Sequence, residues 1–246
     1  MKILFFGNSH VGAFKKGFDM LSKNPKKNDL EKQFYDFYAQ NEVYFISTPG
    51  PNWDEVTFKK DSTIIGIPEK TYKHTNGVRT DKVNNSYAFN SFNTLDYNAI
   101  VFCKGSNIVN FFNSFSGTVN PPLLTSSLLE ILLKNFLSKN QEFKTILSSN
   151  NKSRFIYAGR PVPFSETRRE WRNSTGILET RSRNLSFLRD NIYGKSSYDF
   201  LIPPSHCIDS AGRFTFDRYG RNPGQDENHA NDNYGIEMLG ELKKIL

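Results

Sequence analysis

The chain has 246 residues, of which 37% are hydrophobic and 14% aromatic, and it carries a formal net charge of +7. This length and apolar content can bury one sizeable core, and the absence of any run of about 18 apolar residues argues against a membrane span. The positive charge favours anionic partners such as an acidic glycan or a nucleotide-linked sugar. No lysine-rich cluster interleaved with aromatic residues is visible, which argues against nucleic acid.

The start of the chain and its cysteines indicate a cytoplasmic protein. An apolar segment begins at once, without the basic, apolar and small-residue regions of a signal peptide. Cys103 and Cys207 lie far apart in the sequence, and we predict two free buried thiols rather than a disulfide. The sequence leaves the oligomeric state open.

The first part of the chain predicts two strands, at residues 2–6 and 43–47, the second ending at the breaker 48–51. Between them, apolar residues recur at helical spacing and predict two helices: Val11, Phe14, Phe18 and Leu21 in the first, and Leu30, Phe34, Phe37 and Tyr38 in the second. Residues 52–98 are polar, with short β-like runs such as 63–67. We predict a polar irregular insertion or a small hairpin there, with a disordered loop as the alternative.

The second part of the chain continues the alternation, with strands predicted at 99–103, 154–158 and 200–202. Helices are predicted at 123–137, at about 165–190, where the segment is rich in arginine and Ser165 is a suitable N-cap, and at 233–246. Apolar strands that alternate with helices predict an α/β fold, a three-layer α/β/α sandwich with a central parallel sheet of about five strands. We assign residues 1–246 to a single domain.

Polar or glycine residues follow each predicted strand. In a parallel sheet covered by helices, the ligand lies beyond the carboxyl ends of the strands. The candidate residues at that edge are Ser9 after the first strand, Gly50 after the second, Asn107 after the third, Arg160 after the fourth, and Asp226 and His229 after the fifth. The sequence therefore predicts one site at this edge.

The residue types at this edge suit acyl transfer. A serine hydroxyl such as that of Ser9 needs a base to accept its proton, and the base needs a partner on its other ring nitrogen. His229 is the candidate base, and Asp226 is spaced three residues before it as a candidate orienter. The candidate oxyanion donors are the backbone N–H groups of Ser9 and Gly50 and the side-chain amide of Asn107, with Gly66 and Gly77 as alternatives to Gly50.

Structural roles are the alternatives for several of these residues. Ser9 suits the cap of the helix that follows it, and Asn107 suits a turn in any fold. Arg160 is placed where substrate is expected, and its guanidinium can bind a carboxylate or phosphate, whereas an arginine-rich helix face is commonly solvated. His10 is predicted to line the site or to be structural. No His or Cys pair has metal-ligand spacing, so we predict neither a metal nor a cofactor.

These residues resemble the four sequence blocks of the SGNH (GDSL-type) hydrolases. The blocks are Gly7-Asn8-Ser9-His10, Gly50, Gly105-Ser106-Asn107 and Asp226-Glu227-Asn228-His229, in the family order. The resemblance implies a flavodoxin-like sandwich with Ser9 as nucleophile and first oxyanion donor, Gly50 and Asn107 as the other donors, His229 as base and Asp226 as its orienter.

The sequence thus predicts a serine esterase or O-acyltransferase that forms an acyl-serine intermediate. The substrate class we expect is an acetyl or other acyl ester of a carbohydrate, with an anionic ester favoured by the charge. One alternative is a non-catalytic glycan-binding protein on the same fold. Another is a structural component of a virus or of a surface-polysaccharide assembly.

Overall fold

In the structure, a computed structural model, the described residues form an α/β sandwich. The described residues are 1–23, 29–48, 50–58, 62–68, 72–75, 78–79, 91–105, 107–115, 122–162, 175–192, 198–210, 212, 215–222 and 229–246. The strands are β1 Lys2–Gly7, β2 Glu42–Ser47, β3 Thr57–Phe58, β4 Ile64–Gly66, β5 Tyr72–Thr75, β6 Val78–Arg79, β7 Ser91–Asn93, β8 Ala99–Cys103, β9 Arg154–Tyr157 and β10 Asp199–Phe200. The helices are α1 Val11–Lys23, α2 Asp29–Ala39, α3 Ile108–Phe115, α4 Ser126–Lys139, α5 Gln141–Ser149, α6 Thr175–Asn191 and α7 Asp232–Ile245.

The central sheet has the strand order β10-β9-β8-β1-β2-β5-β6. The five strands from β10 to β2 are parallel, and β5 and β6 extend the sheet in antiparallel fashion. Numbered along the chain, the parallel strands follow the order 2-1-3-4-5, which is the flavodoxin-like arrangement. The predicted fold class is therefore confirmed.

Helices cover both faces of this sheet because its strands are apolar on both sides. Alternate residues of β1 enter separate cores: Leu4 and Phe6 lie in one, and Ile3 and Phe5 in the other. The first core is closed by α3, α4, α5 and α6, and the second by α1, α2 and α7. The continuous apolar run of β1 is what a strand buried on both faces requires.

The predicted helix at 123–137 begins three residues later than its leucine pattern indicates. Thr125 caps α4 by accepting a hydrogen bond from Leu128 N at 3.3 Å, so the chain before it is extended. Leu124 N donates to Asn184 Oδ1 at 2.6 Å, which ties this extended segment to α6. The first two leucines therefore lie outside the helix, with Leu124 buried and Leu123 exposed.

The arginine-rich segment is helical from Thr175 to Asn191. The predicted N-cap Ser165 lies outside the described residues. Two helices, α3 and α5, were not predicted from the sequence, and both lie on the same face of the sheet. The last helix begins at Asp232, one residue before its predicted start.

Within residues 52–98, the described parts form short strands and two 3-10 turns. The hairpin β5–β6 adds to the edge of the central sheet beside β2, and β3, β4 and β7 form a separate antiparallel sheet. Trp53 of the first 3-10 turn and Phe92 of β7 pack against Phe6 of β1, with ring centroids 5.4 and 4.9 Å away. The contact of Phe92 attaches the second sheet to the core.

Cys103 and Cys207 are both buried thiols, as predicted. Burial raises the pKa of the Cys103 thiol far above its ordinary value, so this thiol stays protonated. Among the described helices, none is long and apolar enough to cross a membrane.

Candidate active site

Ser9 lies in the turn between β1 and α1, at the carboxyl edge of the sheet. The turn is closed by Val11 N, which donates to Asn8 O at 3.1 Å, and by Gly12 N, which donates to Ser9 O at 3.0 Å. Ser47 at the end of β2 also donates from its hydroxyl to Asn8 O at 3.0 Å. The backbone around Ser9 is thus held in place, while Ser9 itself is exposed.

The approach of β8 to this turn requires glycine at position 7. A Cβ on Gly7 would lie 2.3 Å from the carbonyl oxygen of Cys103, its partner in β8. No side chain fits in that space. Gly7 therefore allows the ends of the two strands to lie side by side at the point where the strand order reverses, which is the usual ligand position in this fold.

The Ser9 hydroxyl meets His229 across the edge of the sheet. Ser9 Oγ lies 2.9 Å from His229 Nε2, within hydrogen-bond distance, although 220 residues separate them. This contact is the one that a general base makes with a serine nucleophile. It favours the chemical interpretation of Ser9 over that of a helix cap.

The close packing of α1 and α7 brings these two residues together. A Cβ on Gly235 would lie 1.9 Å from Ala13 O, and a Cβ on Gly17 would lie 2.6 Å from the backbone of Gly235. The two helices are therefore in backbone contact, and Ser9 and His229 each precede one of them. The short distance between the side chains of Ser9 and His229 therefore follows from the close crossing of α1 and α7.

The segment around His229 is held by hydrogen bonds to residues 218–221. Arg221 N donates to His229 O at 2.8 Å, and Asn231 Nδ2 donates to Arg218 O at 2.7 Å. Asn231 Oδ1 also accepts from Tyr234 N at 3.1 Å and so caps α7. This capping role of Asn231 was not predicted, although an asparagine three residues before the first apolar helix position is a typical N-cap signal.

A small cavity of about 20 Å³ adjoins the serine and histidine. Its polar side consists of Ser9, His10 and His229, and its apolar wall includes Phe14, Pro161, Ala230 and Met238. Tyr234 also lines it, and burial holds the pKa of that phenol well above its usual range, so the hydroxyl is neutral. A space of this size accommodates a water molecule or a group of similar size.

His10 lines this cavity together with Ser9 and His229. Its ring centroid is 5.5 Å from that of His229, with an angle of 30° between the rings. Its backbone N–H donates to Asn8 Oδ1 at 3.2 Å. The structure therefore places His10 beside the Ser9–His229 pair.

Asp226 lies outside the described residues, so its role as the orienter of His229 stays a prediction. Gly50 is the first residue of a 3-10 turn that follows β2. Thr48, two residues earlier, donates its N–H to Gly7 O at 2.9 Å, which keeps this segment beside the end of β1. The N–H groups at a helix start have no partner within the helix, which suits the donor role predicted for Gly50. The alternative Gly66 ends β4 in the second sheet, and Gly77 lies outside the described residues.

Asn107 makes two hydrogen bonds that are structural in kind. Its Nδ2 donates to Arg160 O at 2.6 Å, and its Oδ1 accepts from Asn110 N at 2.8 Å, which caps α3. The residue is buried, with 1% of its surface exposed. These contacts favour the turn interpretation, although an amide group has a second N–H to donate.

Arg160 lies in the turn after β9, next to the cavity-lining residues Gly159 and Pro161. Its N–H donates to Gly105 O at 2.7 Å, so its backbone links the turns after β8 and β9. Burial raises the pKa of the Tyr157 phenol, and the positive charge of Arg160 acts in the opposite direction.

Comparisons of the chain with protein-family models, with curated proteins and with solved structures found no match.

Proposed function

We propose that this protein is a serine hydrolase of SGNH type, an esterase or O-acyltransferase that forms an acyl-serine intermediate. The observation that carries the proposal is the 2.9 Å contact between Ser9 Oγ and His229 Nε2 at the carboxyl edge of a flavodoxin-like sheet. The resemblance of the sequence blocks supports it independently of the geometry. The cytoplasmic setting predicted above belongs to the same proposal.

In the proposed reaction, His229 Nε2 takes the proton of Ser9 as Oγ attacks the ester carbonyl carbon. The tetrahedral intermediate collapses when the alcohol leaves with the proton that His229 returns, and the acyl group stays on Ser9. Water or a sugar hydroxyl then attacks the acyl-serine, with His229 again as base. Asp226 is the proposed partner for the positive charge that the imidazole gains.

The negative charge of the intermediate needs donors that are fixed before the reaction. Ser9 lies two residues before α1, a helix of 13 residues, whose N-terminal dipole favours an anion at this position. The N–H groups of Ser9 and Gly50 are the proposed oxyanion donors, with the second N–H of Asn107 as the third.

The small cavity supports an acetyl group as the acyl part of the substrate. Its volume of about 20 Å³ accommodates a group the size of a methyl, and its wall is mainly apolar. The alcohol part of the ester would lie outside the cavity, on the open side at the edge of the sheet. We propose that this alcohol is a carbohydrate. The net charge of +7 favours an anionic one.

The direct test is hydrolysis of p-nitrophenyl acetate by the wild type and by Ser9→Ala. We expect the turnover of Ser9→Ala to fall by about a thousandfold or more, because removal of the nucleophile leaves only binding and oxyanion stabilisation. Ser148→Ala is the matched control, since Ser148 is an exposed helix residue whose hydroxyl donates to Thr145 O. Equal turnover in Ser9→Ala and Ser148→Ala would rule out the proposal.

A non-catalytic glycan-binding protein is the second candidate, and the contacts of Asn107 favour it. An amide that caps α3 and binds Arg160 O is less suited to act as an oxyanion donor. A fluorophosphonate probe separates the two functions because it labels only an activated serine. Labelling of the wild type and of Ser148→Ala, but not of Ser9→Ala, would exclude the binding-only function.

A further inference from the structure

A second cluster of reactive side chains includes Glu237 of α7 and two residues of the turn that packs beside this helix. His206, Cys207 and Glu237 each place one potential ligand atom within 4.8 Å of the others. His206 Nε2 and Glu237 Oε2 are 2.9 Å apart. Tyr234 and Met238 of the same helix line the cavity at Ser9, but His206, Cys207 and Glu237 are not among the residues that line it.

The turn that carries His206 and Cys207 is held at its backbone. Cys207 N donates to Pro204 O at 3.0 Å, and Phe216 N donates to Cys207 O at the same distance. Arg218 Nη2 donates to His206 O at 2.9 Å. The imidazole and the thiol are therefore positioned by the fold, and α7 fixes Glu237 in the same way. A metal ion bound there would not have to order this turn.

The surroundings of the thiol combine burial with negative charge. Burial raises the pKa of Cys207 to about 12, with Glu237 and Glu241 acting in the same direction. A hydrogen bond with Tyr219 and the charge of Arg218 act in the opposite direction. A bound cation would relieve the repulsion between these carboxylates and a thiolate, and the Tyr219 hydroxyl is placed as an outer-shell donor to the sulfur.

An open cleft of about 230 Å³ adjoins the cluster. Glu237, Tyr219, Arg218 and Asn233 are among its lining residues. The cleft leaves room for a water molecule or a small exogenous ligand next to Glu237. Three protein ligands with one position left to solvent is a common arrangement for zinc.

We propose that His206, Cys207 and Glu237 bind a divalent metal ion of the zinc class. The donor set of imidazole nitrogen, thiolate sulfur and carboxylate oxygen is one that Zn²⁺ accepts, whereas Mg²⁺ and Ca²⁺ prefer oxygen alone. Binding replaces the thiol proton of Cys207, which is released to solvent. The ion links the turn at 205–207 to α7, the helix that follows His229.

The inference is independent of the proposed function, and metal binding is measured without any substrate. Equilibrium dialysis against Zn²⁺ is expected to give one ion per chain. With Co²⁺ in its place, a thiolate-to-metal charge-transfer band is expected in the near ultraviolet, because Cys207 is a ligand.

The variants His206→Gln and Glu237→Gln test the ligands without altering the buried thiol. The His206 side chain is 53% exposed, so its replacement leaves the core intact. We expect each variant to bind Zn²⁺ at least about tenfold more weakly, because even the loss of an outer-shell partner has an effect of that order. Glu130→Gln is the matched control, since Glu130 is an exposed residue of α4 on the opposite face of the sheet, and this variant should bind as tightly as the wild type.

Absence of stoichiometric Zn²⁺ in the wild type would overturn the proposal. So would binding that is unchanged in both His206→Gln and Glu237→Gln, since the ion would then lie elsewhere. Loss of binding in both variants, with the control intact, would establish the site whether or not Ser9→Ala abolishes ester hydrolysis.

Discussion

Two adjacent places at the carboxyl edge of the sheet look alike in the sequence but differ in their contacts. At the serine edge, formed by Ser9 and His229, an exposed hydroxyl meets an imidazole side chain. At the asparagine turn, formed by Asn107 and Arg160, a buried amide meets a backbone carbonyl. Both Ser9 and Asn107 follow a buried strand, so their position in the fold does not distinguish them. What distinguishes them is the partner of the side chain, an imidazole for Ser9 and a backbone carbonyl for Asn107.

The largest effect is expected from Gly235→Ala, which acts on the serine edge through the helix crossing. The new methyl group would meet the backbone carbonyl of Ala13 at 1.9 Å, and the backbone cannot yield as a flexible side chain would. We expect α1 and α7 to move apart and the free energy of unfolding to fall by about 3 kcal/mol. Urea denaturation measures the stability, and the rate of fluorophosphonate labelling measures the Ser9–His229 contact.

Gly12→Ala is the matched control for this change. A Cβ at Gly12, in the first turn of α1, has no atom within 4 Å, so the variant should be neutral or slightly stabilising. Equal unfolding midpoints for the two glycine variants would contradict the packing explanation of the serine edge.

A smaller effect is expected from Asn107→Ala at the asparagine turn. The change removes the cap of α3 and the hydrogen bond to Arg160 O, and we expect it to cost about 2 kcal/mol of unfolding free energy. Asn107→Asp keeps the capping oxygen but turns a buried carboxylate oxygen toward Arg160 O, so it should cost at least as much. Denaturation of the two variants measures this difference.

The same pair of variants tests the oxyanion role. If Asn107 also donates to the oxyanion, kcat falls by about a hundredfold in both variants, because neither retains an N–H donor. A kcat near that of the wild type in Asn107→Asp would leave this residue with a structural role alone.

The smallest effect is expected from Cys103, whose ionisation makes the free energy of unfolding depend on pH. Burial raises its pKa from an ordinary value of 9.0, so near pH 10 the unfolded chain has lost a proton that the folded chain retains. Stability therefore falls as the pH rises above the unfolded pKa. Between about pH 7.5 and about pH 10, the free energy of unfolding should fall by about 1.4 kcal/mol more for the wild type than for Cys103→Ala.

Urea denaturation at the two pH values measures that difference. The cost of the cavity in Cys103→Ala cancels, since only the change with pH is compared. Identical pH dependence in the two proteins would show that this thiol ionises as easily in the folded chain as in the unfolded one.

Much of the central sheet could be predicted because strands buried on both faces appear as continuous apolar runs, as in β8. Helix α3 escaped prediction because a short apolar run such as Ile108–Phe115 does not distinguish a helix from a buried strand. The second sheet was predicted only in part, as the β-like run at 63–67 that contains β4, because its strands are two or three residues long and β7 pairs with β4 over a distance in the chain. Such pairings leave little local signal.

The sequence by itself determined which residues could carry the chemistry and at which edge of the sheet they would lie. That information is local, since a strand end and the residues after it are read from neighbouring positions. Only the tertiary structure decided which of them meet. The contact between Ser9 and His229 depends on the glycine crossing of α1 and α7, and the cluster of His206, Cys207 and Glu237 depends on a turn packed against α7. Both result from the packing of segments remote in the chain, which residue spacing does not encode.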